Sequence, residues 1–126
     1  LACLGAPVRL FQSDGLRLPF KENIFDRVVC INVLINLPGE DSVDQMLKEL
    51  RRVCRDDGCV VLDIRNKRHP LVFIKYKLAR LYDPTIETNR LRMFDERTFE
   101  KRLRGLGLKI VKRSGWAVIV MEVSLA

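Results

Sequence analysis

Few side chains in this sequence are suited to chemistry, and they gather at two places. The first is Asp14-Gly15, inside the stretch QSDGLRLPFKENIFDRVVC over residues 12–30. A carboxylate followed by glycine can be a plain turn, because Asp bonds its own backbone and Gly bends freely. It can also bring a charged acceptor and bare backbone close to a ligand. The second place is His69, the only histidine in the chain. Imidazole is the side chain best suited to act as a general base near neutrality. Its setting, Lys67-Arg68-His69-Pro70, reads more ordinarily as a solvated surface. The four cysteines, Cys3, Cys30, Cys54 and Cys59, form no C-x-x-C pair, and with a single histidine they offer no zinc site. Cys30 and Cys59 sit in apolar runs and Cys54 on an apolar helix face. They read as reduced core residues, which fits a cytoplasmic protein.

The elements that must position these residues alternate along the chain. VRLFQ (8–12) reads as a short strand, and DRVVCIN (26–32) as a strand buried on both faces. A helix follows, with Val43, Met46, Leu47, Leu50, Val53 and Cys54 on one face. Ser42 with Gln45 suits a capping box at its start, and Gly58 suits a left-handed residue after its end. CVVLDI (59–64) is the next strand. Pro70 opens a second helix whose stripe is Leu71, Ile74, Leu78, Leu81 and Tyr82, with Lys75, Lys77 and Arg80 outside. Residues 83–93 look irregular. Asp95 caps a third helix, with Phe94 and Phe99 placed as a hydrophobic staple. LKIVKR (108–113) and WAVIVMEV (116–123) end the chain as an antiparallel hairpin across Ser114-Gly115.

This order predicts an α/β fold with a parallel crossover from Asp26 to Ile64. Ligands of open α/β sheets bind beyond the C-terminal strand ends. That edge comprises Ser13 to Leu16, Cys30 to Asn36 and Ile64 to His69. The length of 126 residues and 48% hydrophobic content fit one soluble domain, and no run is long enough to span a bilayer. The charge is asymmetric. Residues 1–64 hold 8 Lys/Arg and 10 Asp/Glu, whereas the remainder is strongly basic within a net charge of +7. The basic region over 65–113 can meet an anionic ligand or can be a solvated face.

Taken as an ordered set, Asp14, Leu18-Pro19-Phe20, Phe25-Asp26, Glu49, Arg52-Val53 and Gly58 resemble the class I S-adenosylmethionine-dependent methyltransferases. The likeness is to the small-molecule, type 11-like group related to the quinone and sterol enzymes. FDERTFEKRLRGLGLKIVKRSGW resembles that family's last helix and closing strands. The resemblance implies a Rossmann-like, mostly parallel sheet with a C-terminal antiparallel hairpin. It implies S-adenosylmethionine as cofactor and a small-molecule acceptor such as a lipid, quinone or sugar-linked compound. By the same resemblance Asp14 accepts from the adenine amino group and Gly15 N–H donates to the ring. Cys30, Ile31 and Asn32 pass beside the methionine part, and Asn36 and Asn66 face the acceptor side. Ile35 departs from the His or Arg of many relatives. Phe25-Asp26 is read as an anchor for its strand.

The family's Gly-rich loop and the acidic residue that binds the ribose have no counterpart here. LACLGAPVR looks like the tail of a helix, and the chain lacks an initiator Met and a charged secretory leader. The expectation is a single partial methyltransferase domain over 1–126, its N-terminal strands missing, with an unpaired strand edge open to homo- or hetero-oligomers. Two alternatives stay open. One is an RNA methyltransferase, favoured by the basic half; the other is a non-catalytic methyltransferase-like interaction module. No metal is expected.

Overall fold

The computed structural model describes residues 7–82 and 92–125. Its elements are β1 (Phe25–Cys30), a 3-10 turn (Leu34–Asn36), α1 (Glu40–Val53), β2 (Cys54–Arg65), α2 (Pro70–Tyr82), α3 (Glu96–Gly105), β3 (Leu108–Ser114) and β4 (Val118–Leu125). The four strands form one sheet in the order β1-β2-β4-β3. β1 and β2 are parallel, as the crossover requires, and pair Cys30 with Leu62. β4 lies antiparallel between β2 and β3. The α/β class holds, but only one of the three described pairings is parallel, because the C-terminal hairpin inserts next to β2.

One face of the sheet carries the core. Cys30, Val60, Leu62, Ile64, Ile119, Met121 and Val123 point the same way and are buried. α1 lays Val43, Met46, Leu47 and Leu50 on them, and α3 adds Phe99 and Leu103. Period-two burial along the strands meets period-3.6 burial along the helices, which is how a two-layer domain closes. The opposite face is thinly covered: Val29 is 67% exposed and Val111 62%.

Several local expectations change. VRLFQ is not a strand; Val8, Leu10 and Phe11 are exposed. An extended segment needs a neighbour to pair its N–H and C=O groups, and none lies beside it among the described residues. α1 begins at Glu40 behind Gly39, with no side-chain cap from Ser42. Glu40 and Asp41 in its first turn complement the positive end of the helix dipole instead. Gly58 does not end the helix. α1 runs directly into β2 at Cys54, whose backbone is extended, and Gly58 lies inside the strand where the β1–β2 register shifts. A Cβ there would stand 2.7 Å from Asp26 O and 2.8 Å from Cys54 Sγ. The glycine is needed for close approach, not for a left-handed turn.

α2 forms with Pro70 in its first turn, yet its expected stripe is not buried. Leu71, Ile74, Leu78, Leu81 and Tyr82 are all exposed, while Val72 is buried. α3 forms as read: Asp95 accepts from Thr98 N at 3.3 Å, and the Phe94 and Phe99 rings meet edge to face at 5.1 Å. The hairpin connection is longer than two residues. Trp116 leaves the strand, and Gly115 takes the left-handed backbone at φ +94°. The irregular 83–93 segment lies mostly outside the described residues, as do Cys3 and the N-terminal LACLGA.

Candidate functional site

The segment that carries Asp14 is held by α1. Glu49 is buried on that helix, and its Oε2 accepts from Leu18 N at 2.8 Å. Arg52 lies one turn on and bonds both Glu49 oxygens. Its remaining donors reach Phe20 O at 2.7 Å and Leu18 O at 3.1 Å. The E-x-x-R pair therefore grips the backbone of Leu18-Pro19-Phe20. The Arg52 guanidinium, then the Leu18 N–H, hold the Glu49 carboxyl below its ordinary pKa. Gln45 adds a bond from Nε2 to Leu16 O at 3.2 Å.

Within this frame Asp14 makes a tight turn. Its Oδ1 accepts from Leu16 N at 2.9 Å, and its carbonyl accepts from Arg17 N at 3.1 Å. Oδ2 of Asp14 and the N–H of Gly15 make no hydrogen bond among the described residues. A carboxylate oxygen beside an N–H is the pair that an adenine edge requires. The turn reading and the ligand reading thus coexist, one oxygen serving each. Gly15 also approaches the protein closely: a Cβ there would lie 2.5 Å from Met46 Cε.

The C-terminal end of β1 forms the second part. Cys30 is buried, and burial, with Asp63 nearby, pushes its thiol up to about 11. It cannot serve as a nucleophile near neutrality. Asn32 takes left-handed backbone at φ +59°, a conformation Asn tolerates better than most residues. Its N–H donates to Asp63 Oδ1 at 2.8 Å. Its Oδ1 accepts from Arg65 Nη2 at 2.8 Å, and its carbonyl accepts from Asn36 Nδ2 at 2.7 Å. Asn36 is thus tied to Asn32. Asp63 is 2% exposed; a carboxylate inside an apolar strand run was not picked out from the sequence, although its position in CVVLDI next to the strand end is the signal.

The end of β2 forms the third part. Asn66 is buried and both ends of its amide are engaged: Nδ2 donates to Trp116 O and Oδ1 accepts from Arg68 N, each at 3.0 Å. It joins β2 to the hairpin connection. His69 is 4% exposed, so it is a buried residue and not a surface one. Its ring meets Trp116 edge to face at 4.2 Å. Arg92, also not picked out from the sequence, ties the parts together. Its N–H donates to Ile35 O and its Nε to Leu37 O, each at 2.9 Å, while Glu40 pairs with its guanidinium. The structure therefore gathers Cys30, Ile31, Asn32 and Asn36 around Asp63 and Arg65. Asp14 and Gly15 sit separately, on α1. A cavity of about 530 Å³, lined by Glu22, Lys48, Arg51 and Leu106 among others, opens toward the C-terminal end of α1.

Comparison with known proteins points to one family. Residues 2–62 match the family described as a methyltransferase domain. The chain is 40% identical over 80 residues to the ubiquinone/menaquinone biosynthesis C-methyltransferase UbiE of Nitrosospira multiformis, covering 63% of this chain and 29% of that protein. The fold is shared with an S-adenosylmethionine-dependent methyltransferase of Clostridium acetobutylicum, at a TM-score of 0.71 and 16% identity, over 99% of this chain and 68% of that one. Over residues 2–62 in sequence and over nearly its whole length in fold, the chain resembles the S-adenosylmethionine-dependent methyltransferases. A further methyltransferase of the same fold, the Synechocystis magnesium protoporphyrin IX enzyme with bound S-adenosylhomocysteine, aligns at a TM-score of 0.65 and 24% identity, over 90% of this chain and 49% of that one. The chain spans less than a third of the length of its UbiE relative. Among the described residues no group of three or more His, Cys, Asp or Glu can hold a metal ion, and no helix is long and apolar enough to cross a membrane.

Proposed function

We propose that this chain supplies the adenine side and the acceptor side of a methyltransferase acting on a small molecule. The observation that carries the reading is the Asp14-Gly15 turn. It is held rigidly by α1, with one carboxylate oxygen and an adjacent N–H left to meet an adenine edge. S-Adenosylmethionine, when bound, supplies an activated methyl group on a positively charged sulfur. Asp14 and Gly15 would hold the adenine, and the backbone of Cys30 to Asn32 would run beside the methionine part.

The chain's own work is alignment and exclusion of water. Asp63 fixes the Asn32 N–H, so the end of β1 keeps one shape while the acceptor nucleophile approaches in line. A general base is required only for an acceptor that must lose its proton early. His69 stands at the C-terminal end of β2, on the acceptor side. The names of the relatives favour a quinone-type ring as acceptor.

The test is to incubate the full-length protein with S-adenosylmethionine and a demethylated quinone, reading product mass. Gain of one methyl group on the quinone supports the reading. Transfer to RNA with no transfer to the quinone contradicts it.

A further inference from the structure

A second cavity opens beyond the C-terminal end of β2, between the first turns of α2 and the start of β4. It has a volume of about 260 Å³, and its lining includes Arg65, His69, Val72, Lys75 and Val118. Two features set it apart. Among the described residues no Asp or Glu lines it, whereas three cationic or imidazole side chains do. Two of these have a buried nitrogen with no partner among the described residues: Arg65 Nε and His69 Nδ1. Buried polar atoms in folded proteins are nearly always paired, so two orphans on one cavity point to a missing partner.

We propose that this cavity binds the anionic group of the methyl acceptor, an apolar molecule bearing a carboxylate or phosphate. Arg65 Nε is always a donor. Neutral or charged imidazole can also place a proton on Nδ1. Two donors and the Lys75 ammonium suit oxyanion oxygens. Val72 and Val118 suit an apolar body. The rest of the geometry prepares the site. Arg65 Nη2 is fixed on Asn32 Oδ1 at 2.8 Å, which aims its remaining donors. Asn66 holds Trp116 through its carbonyl, and Trp116 holds the His69 ring. Because Arg65 touches Asn32, an anion bound here stands next to the strand end assigned above to the methyl donor.

This proposal rests on that reading for what the pocket is for, but its binding can be measured without the donor. The chain has one tryptophan and one histidine; His69 lines this pocket, and Trp116 packs against the His69 ring. Trp116 fluorescence and the His69 imidazole cross-peaks therefore report on it without ambiguity. The probes are benzoate, neutral benzyl alcohol and inorganic phosphate, at fixed pH. Benzoate should move both signals saturably, at a concentration about tenfold below that of either other probe. Arg65→Gln should raise the half-saturating concentration about tenfold. Lys75→Gln, which leaves the Arg65–Asn32 bond intact, should raise it several-fold even where Arg65→Gln disturbs folding. No response to benzoate, or an equal response to benzyl alcohol, overturns the proposal. Benzoate binding in a chain that does not bind S-adenosylhomocysteine would sink the methyl-transfer reading and leave the anion pocket standing.

Discussion

Arg52 on α1 donates to the carbonyl of Phe20, 32 residues earlier, at 2.7 Å. The same guanidinium holds Glu49, whose other contact is the Leu18 N–H. Two pieces of sequence that look like independent motifs, L-P-F and E-x-x-R, are thus the two halves of one clamp. The clamp sets where the Asp14 turn sits.

Breaking it should loosen the turn before it unfolds the domain. Arg52→Ala leaves the buried Glu49 with only the Leu18 N–H and removes both donors from the loop carbonyls. Hydrogen exchange at Leu16 to Phe20 should speed markedly, while amides of β2 and β4 stay protected. Equal loss of protection everywhere would show that the clamp is part of the global core.

The same carboxyl gives an acid limb to stability. Glu49 has a folded pKa below its ordinary value, so the folded state gains stability above the unfolded pKa of Glu, about 4.3. That gain disappears as pH falls through the folded value. Glu40, held low by Arg102 and Arg92, acts in the same direction but is largely solvated and contributes less. Thermal melts between neutral pH and about pH 3 should show a falling midpoint. Glu49→Gln should lower the midpoint at neutral pH and flatten its pH dependence. A wild-type-like slope in that variant would remove Glu49 from the account.

Cys30 makes the opposite limb. Its thiol is raised to about 11 from 9.0, so alkali ionises the unfolded chain first and stability falls from pH 9 upward. At pH 8 the folded protein should keep Cys30 unmodified by iodoacetamide, while Cys59, only half-buried, is labelled faster. Residue-resolved mass spectrometry reads both rates. Equal labelling would mean that the β1 end is open.

Gly58 and Gly115 test the backbone. Ala at Gly58 must push apart Asp26 O and Cys54 Sγ at the β1–β2 register shift. The expected cost is about 1–3 kcal/mol, read by urea denaturation. Ala at Gly115 meets left-handed backbone and Val118 O at 2.0 Å, and should cost at least as much. Neutral substitutions would show that the β1 register and the hairpin turn are not as described.

Local signals in the sequence carried far. The staple and cap of α3, the apolar face of α1 and the buried alternation of β2 all lie within a few residues of their cause. DRVVCIN, read as buried on both faces, instead buries Cys30 and leaves Val29 and Ile31 exposed, because β1 is an edge strand with one face uncovered. Gly58 and Ser42 were assigned the wrong tasks because helix-end rules assume a loop, and here α1 meets β2 without one. VRLFQ has the composition of a strand, but a strand exists only with a partner. The α2 stripe has helical spacing, which specifies a face and not what covers it. At the candidate site, Asp14 and Asn32 come from the family resemblance, and the structure adds their contacts. Asp63, Arg65 and Arg92 act through contacts about thirty to sixty residues away in sequence, which spacing alone does not reveal.

The central claim is that Asp14 and Gly15 form the adenine end of a methyl-donor site. The most direct measurement is calorimetric titration of S-adenosylhomocysteine into the chain and into Asp14→Ala, with size-exclusion chromatography on the same samples. The account predicts saturable binding to the wild-type chain, weakened at least tenfold by Asp14→Ala with the elution volume unchanged. Binding of equal strength in both would contradict the assignment, as would no binding by a well-folded wild-type chain.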